Sequence, residues 1–546
     1  MANIKHNIKN LLLRGKTFVS VIKPSEQNLL AGKLDKNGLQ SVSGGAVDDP
    51  AGTFLSAAGI TDPTITTATY QLVAGLQADG LWSKMKAIYP MVGGNATAHS
   101  YNLKDTTKFQ ITWNGGWTHS STGSLPNGTN AYAETLNPNV SLTTPSHLSK
   151  YTSTNANRGT DEIDMGVASF WLSAWYNGSG YNSILARNQS NSVLLNGGTV
   201  TDSRGFVLTT KIGTTAKIFK NNVQKDSKTD TETTYANYGI YLGAGNFSGP
   251  NYYSVRNFSF ASIGDGLSDT EASNLYTRIQ TFQTSLNRYV GTPIVSDSDA
   301  QSFLNTASIT DLTQANAINT LVTDLKSANL WTKMKAVYPM VGGTASSHSY
   351  NLKNPAQFQI TWSGGITHDS NGITGNGTNG YGNTGLIPGS SLTNNSLNIS
   401  TYSRSSIGSD TTEMGCSESG YLPIIGLTIR STSNNAQFDG YDFSNHRIMA
   451  SETDGRGLFI GSITSSTSQK LYKNTTIKAT SIFVQGLSQP STRPLYILAR
   501  NDSGTAANYS PKNIAFSTIG DGLTDTDASN LYTIVQNYQT SLSRQV

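Results

Sequence analysis

Apolar and polar positions alternate along several short stretches of this chain: residues 109–113, 163–171, 204–210, 216–219, 239–242 and 255–263 each mix β-branched and aromatic side chains with polar ones. Successive side chains of a strand point to opposite faces, so a period of two predicts strands. Gly and Asn interrupt these stretches about every 8 to 12 residues, the spacing of an antiparallel sandwich or barrel. Two further stretches keep a helical period. Asp62-Pro63 offers a capping side chain and a first-turn proline ahead of Leu72, Val73, Leu76 and Leu81, and Ser268-Asp269-Thr270-Glu271 reads as a capping box ahead of Leu275, Ile279, Phe282 and Leu286. The pattern predicts a strand-rich body between a leading and a trailing helix.

The arrangement occurs twice. Residues 81–105 recur at 330–354 with 19 of 25 positions identical, at an offset of 249. That register is expected to hold through Met165-Gly166 and Met414-Gly415, after which the offset becomes 256 and residues 254–290 pair with 510–546 at 23 of 37 positions. On this alignment Trp117 faces Ile366, and residues 147–157 face 396–406, so both places read as variable loops. Upstream, residues 51–62 match 300–311. The expected organisation is a unique segment of residues 1–46, a first repeat over 47–290 and a second over 296–546. Each copy is long enough to enclose its own core. In the unique segment, residues 17–22 could form a strand, and Ser43-Gly44-Gly45 makes a plausible hinge.

Composition narrows the function classes. Charged residues reach only 13%, about half the usual share, while 36% hydrophobic content is too apolar for disorder. The net charge of +4 is spread over the chain without a basic run, which argues against nucleic acid as a partner. Cys416 stands alone, so no intrachain disulfide is expected. The basic N-terminus has only Leu11-Leu12-Leu13 as an uninterrupted apolar run, far short of a signal peptide or membrane span, and no membrane association is expected.

Residues 216–223, with Lys470-Leu471-Tyr472-Lys473-Asn474 in the other copy, resemble the strand and turn in the second half of concanavalin A-like, laminin-G-like sandwiches. The IGDGL(S/T)DT(E/D)ASNLYT ending resembles the close of the same domains, where a last strand leads into a helix. Together with the LW(S/T)KMKA(I/V)YPMVGG front, the module is similar to repeats of bacteriophage virion proteins such as fibres and adhesins, over residues 47–546. The resemblance implies a mainly β fold of two tandem concanavalin A-like (jelly-roll) sandwiches. It implies a virion protein made in the host cytoplasm and acting outside the cell, and a homo-oligomer held to other virion proteins by residues 1–46. It supplies no catalytic residues, because such sandwiches serve lectins, adhesion domains and hydrolases alike.

Candidate chemistry is sparse. His99 and His348, and His119 and His368, recur in both copies, but neither motif holds a second ligand at zinc spacing, so they read as parts of a turn or hydrogen-bond network. Asp161, Glu162 and Asp164 suggest a glycosidase pair, yet the second copy keeps only Asp410 and Glu413 there. Gly264-Asp265-Gly266 and Gly520-Asp521-Gly522 read as tight turns more readily than as calcium loops. Neither a cofactor nor a metal is expected. Trp82/Trp331 and Trp113/Trp362 read as core. Trp117, Trp175, Tyr176, Tyr181 and Tyr252 have no aromatic counterpart in the second copy, and aromatic faces beside Asn and Asp are surfaces on which sugar rings stack; they are the candidate glycan contacts. The expected function is attachment to host-surface polysaccharide by a non-enzymatic display protein, with a polysaccharide-degrading enzyme or a purely architectural fibre as alternatives.

Overall fold

A computed structural model describes residues 49–546 apart from 136–145, 234–237, 394, 442–446 and 483–490. The segment 1–46, with its expected strand, hinge and attachment role, lies outside the described residues. Contacts divide the chain into a unit ending at Pro50 and a compact unit from Ala51 to Val546 that contains both copies.

The helices begin where their capping residues stand. Asp62 accepts a hydrogen bond from the Ile65 N–H (2.9 Å) to open Pro63–Ala78, and Ser268 with Glu271 forms a reciprocal box at the start of Asp269–Ser285. Asp311 opens Leu312–Ser327, and Thr524 with Asp527 opens Asp525–Ser541. Each satisfies N–H groups that a helix start leaves without a partner. A shorter helix, Pro50–Ala57 or Ser298–Thr306, precedes each pair.

The fold is mainly β, built of antiparallel sheets stacked as sandwiches. In the first copy a six-stranded sheet runs Met85–Tyr89, Phe260–Gly264, Ser146–Thr152, Gly205–Ile212, Thr215–Lys220, Val223–Thr229. The second sheet is centred on Met165–Val167, Phe170–Gly178 and Tyr181–Arg187. The second copy repeats both, with Leu397–Ser403 and Asn513–Gly520 central in one sheet and Met414–Ser417, Ile424–Thr428 and Asn435–Gly440 in the other. Among the described residues every sheet takes its strands from one copy alone.

Alternation along the central strands separates two apolar layers. Tyr151, Phe206, Leu208 and Phe260 face Leu72, Leu76, Leu275 and Ile279 of the helices, while Leu148, Val207, Ala261 and Ile263 face Leu172, Ile184 and Leu242 of the second sheet. The second copy divides in the same way. The order is helices, covered sheet, open sheet, and among the described residues no α-helix packs on the outer face of the open sheet.

Four expectations need correction. Residues 147–152, read as a variable loop, form a central strand, Ser146–Thr152, and its counterpart is Leu397–Ser403. Its polar side chains disguised it, because the fold supplies their partners: Ser149 to Ser262 at 2.6 Å and His147 to Ser262 at 3.0 Å within the sheet, and Lys150 to Asp164, just ahead of the other sheet's Met165–Val167, at 2.9 Å. The 249 register also slips by two residues here. Tyr151 pairs with Phe260 as Tyr402 pairs with Phe516, so these tyrosines are equivalent, and His147 and Asn398 each bond the carbonyl of the following turn's aspartate. Trp117, too, lies on a strand, Trp117–Ser120. Finally, alternation outruns the ladder at 255–263, where only Phe260–Gly264 is strand: the preceding N–H groups bond Glu162 (Val255), Ser124 (Phe258) and Tyr151 (Ser259) instead.

Candidate functional site

The open sheet's outer face in the first copy carries a cluster of aromatic side chains that reaches solvent. In Phe170–Gly178, Phe170, Leu172 and Ala174 point into the sandwich, so Trp171 points outward, where it packs with Ile163 and Leu185. A bulge between Ser173 and Tyr176 re-aims the strand end, and bulges do this by setting two residues against one. Tyr176 then stacks on Trp171 (6.0 Å) and meets the edge of Tyr181 (6.3 Å), while Tyr252 meets Phe247 edge-on at 5.3 Å. Such pairs hold ring orientation as well as burying area.

Tyr181 and Tyr252 remain 37% and 42% exposed. Tyr252 has a φ of 57°, a conformation disfavoured for a side chain of its size; its carbonyl accepts the Ile163 N–H at 2.8 Å, which ties the turn to the sheet. Beside the rings lies a shallow depression lined by Arg158, Thr160, Asp161, Gly178, Ser179, Tyr252 and Tyr253. Asp161 accepts from Ser179 (3.0 Å), and Arg158 donates to the Tyr253 carbonyl (3.0 Å). Burial and the neighbouring Asp161 carboxylate push the Tyr176 phenol above its ordinary range, so it stays a neutral donor. The corner therefore presents ring faces, a carboxylate and a guanidinium within one patch, a set suited to hydroxyl-bearing rings.

Of the five aromatic candidates, Tyr176, Tyr181 and Tyr252 surround this corner. Trp175, on the same strand, turns toward the sandwich interior, and its indole N–H donates to Asn182 at 2.6 Å. Trp117 lies elsewhere, against Trp113 and Phe258, its N–H directed at the Asn114 and Tyr132 carbonyls. Sequence reasoning missed Phe247 and Trp171, which hold the exposed rings. The outward register of Trp171 was visible in the alternation of its strand.

The acidic cluster splits between surface and interior. Asp161 borders the depression, but Glu162 and Asp164 are fully buried. Asp164 accepts from Lys150 (2.9 Å), Arg256 (3.0 Å), Ser254 (2.6 Å) and the Ala174 N–H (2.6 Å). Burial alone would raise its pKa, but Arg256 and Lys150 outweigh it and hold the carboxyl well below the carboxylate range. Burial also draws Lys150 down to about 8 despite Asp164. Fully buried and held by four donors, Asp164 has no opening toward a substrate. Glu413 replaces it in the second copy, bound to Lys512 (2.8 Å), Ser510 (2.9 Å) and the Ile429 N–H (2.7 Å).

The histidines of the two motifs meet. His99 and His119 approach Nδ1 to Nδ1 at 2.9 Å, and His348 and His368 at 3.1 Å. One ring of each pair must donate and the other accept. Burial first, then the partner ring and a nearby arginine, lower His99 and His348 to about 3. Each pair links a short helix to a hairpin strand, Ala96–Ser100 to Trp117–Ser120 in the first copy. Gly264 and Gly520 are accounted for by space: a Cβ on either would lie 2.3 Å from the carbonyl of Lys84 or Lys333. Burial pushes the Cys416 thiol up to about 12, leaving it unreactive. Among the described residues, no three His, Cys, Asp or Glu side chains gather as metal ligands, and no helix is long and apolar enough to cross a membrane.

No protein-family model matches this chain, and no curated protein does. Among solved structures it is similar to domain 4 of AbnA, a GH43 extracellular arabinanase from Geobacillus stearothermophilus, in complex with arabinotriose (18% identity, 35% of this chain and 98% of that one, TM-score 0.25). It is also similar to the CBM40 of the Ruminococcus gnavus IT-sialidase bound to sialyllactose (14%, 25% and 80%, TM-score 0.21). A third likeness is to domains LG4-5 of the mouse laminin alpha1 chain (10%, 70% and 84%, TM-score 0.21).

Proposed function

We propose that this chain is a non-enzymatic display protein of a virus particle that binds host-surface glycan through the open face of its sandwiches. The observation that carries the reading is the first copy's corner, where Tyr181 and Tyr252 are exposed and Tyr176 is half-buried beside Asp161 and Arg158. A sugar ring offers a C–H face to an aromatic and hydroxyls to charged groups, so one patch answers both. The module's resemblance to repeats of phage fibres and adhesins supports the virion setting, with residues 1–46 as the attachment to neighbouring virion proteins. A homo-oligomer multiplies weak sites into firm adhesion, because each added site acts at high effective concentration.

Adsorption of the full chain to host cells and to their purified polysaccharide tests the reading. Tyr176→Ala and Tyr252→Asn are expected to weaken adsorption about tenfold each, the effect of roughly 1.4 kcal/mol, with the unfolding temperature of Tyr252→Asn unchanged. Release of reducing ends from the polysaccharide would identify an enzyme instead. Absence of adsorption would leave an architectural fibre. Deleting residues 1–46 is expected to abolish incorporation into particles.

A further inference from the structure

The two copies differ most sharply at one place on the open sheet. Gly166 faces Trp171 across its ladder and Gly415 faces Gly426, so Gly426 holds the position of Trp171. By the same registers Gln437 holds the position of Leu185. The Ile163 N–H bonds the Tyr252 carbonyl and the Thr412 N–H bonds that of Asn508, which makes Thr412 the counterpart of Ile163. Ile163, Trp171 and Leu185 are the three residues of the first copy's apolar plug. All three of their replacements line a cavity of about 370 Å³ in the second copy. Where one copy carries a plug, the other carries a hole.

The hole is mostly polar. Asp410, Asp439, Arg447, Arg500 and Tyr421 also line it. Arg447 grips Asp439 through two hydrogen bonds (2.6 and 2.8 Å), and Asp410 holds the N–H of Thr432 at 3.0 Å. Arg500 lies 4.7 Å from the centre of the Tyr421 ring and reaches Asp502 at 3.2 Å. It is only 7% exposed, and its buried Nε has no hydrogen-bond partner. A buried donor without an acceptor is unfavourable, the more so when charged, and calls for an explanation.

We propose that this cavity is a second saccharide site that takes a neutral sugar residue, with Arg500 donating to a sugar oxygen and Tyr421 and Gln437 flanking the ring. The volume falls at the small end of ligand pockets, roughly 300 to 1,000 Å³, whose walls are usually apolar; a polar wall calls for a hydroxyl-rich occupant. Two carboxylates balance two guanidiniums around it, which disfavours an ion. The proposal rests on the glycan-binding reading but not on the residues of the first copy's corner, so the duplicated chain would carry two unlike sugar sites at corresponding places.

An array of neutral and of sialic- and uronic-acid oligosaccharides, probed with the full chain, followed by calorimetry with the strongest neutral binder, tests it. Two sites per chain are expected. Gly426→Trp, which restores the plug, should remove one of them, and Gln437→Ala should weaken the same one at least tenfold while Tyr252→Asn weakens only the other. Should Gly426→Trp unfold the second copy, Gln437→Ala and Tyr421→Ala carry the test, since both leave the core intact. A single site insensitive to these variants overturns the proposal and leaves the first-copy reading standing. Sensitivity confined to acidic oligosaccharides overturns the neutral class. Retention of the second site when Tyr252→Asn changes nothing supports the proposal against the first-copy corner, and silence of the whole array overturns both.

Discussion

Asp164→Ala removes the acceptor at the centre of a fully buried network. Lys150 would lose its carboxylate and keep only the Arg256 carbonyl at 3.2 Å and the face of Phe258 at 3.9 Å. Arg256 would keep Glu162 at 3.2 Å. Breaking a buried pair from one side leaves an uncompensated charge and destabilises by about 3 to 5 kcal/mol. In a domain of this size each kcal/mol moves the midpoint by roughly 2 to 4 °C, so the first copy's transition should fall by about 6 to 20 °C. Among the described residues the copies share no sheet and their apolar cores are separate, so scanning calorimetry should show the second copy's transition unmoved. Adding Lys150→Met should recover most of the loss, because apolar replacement of a buried pair is tolerated. A fall of both transitions together, or no fall in either, would refute the reasoning.

Acid should loosen both copies through their histidine pairs: with folded pKa values lowered to about 3 against 6.5 in the unfolded chain, the contribution is complete above about pH 6.5 and is lost as pH falls toward 3, so His99→Asn with His348→Asn should flatten urea stability across that window. Ser268→Ala should destabilise the first copy by about 1 kcal/mol and Thr524→Ala the second by the same amount, read as separate shifts in calorimetry. Gly264→Ala should lower the first transition by an amount typical of overpacking, about 1 to 3 kcal/mol, because its Cβ has only 2.3 Å to the Lys84 carbonyl.

Much of the architecture was legible because it follows from local rules. Asp62-Pro63 and Ser268–Glu271 announce their helices by capping chemistry that needs no tertiary partner. Ser146–Thr152 was hidden for the opposite reason: its His, Ser and Lys side chains read as loop until the fold supplies Ser262 and Asp164 as partners. The same segment slipped the alignment by two residues, a shift visible only once Tyr151 and Tyr402 are seen against Phe260 and Phe516. His99 and His119 sit in separate motifs and meet only through folding, though their recurrence in both copies was a signal. The cavity of the second copy escaped notice because Trp171 and Gly426 are matched by ladder register and not by either sequence offset.

Hydrogen exchange of the full chain, with and without a saturating host oligosaccharide, tests most directly whether the uncovered sheets are the binding faces. The account predicts added protection at residues 158–182 and 250–253 of the first copy and at 410–439 of the second, with the helices Pro63–Ala78 and Asp269–Ser285 unchanged. Protection appearing on those helices while the open sheets stay unchanged would contradict it.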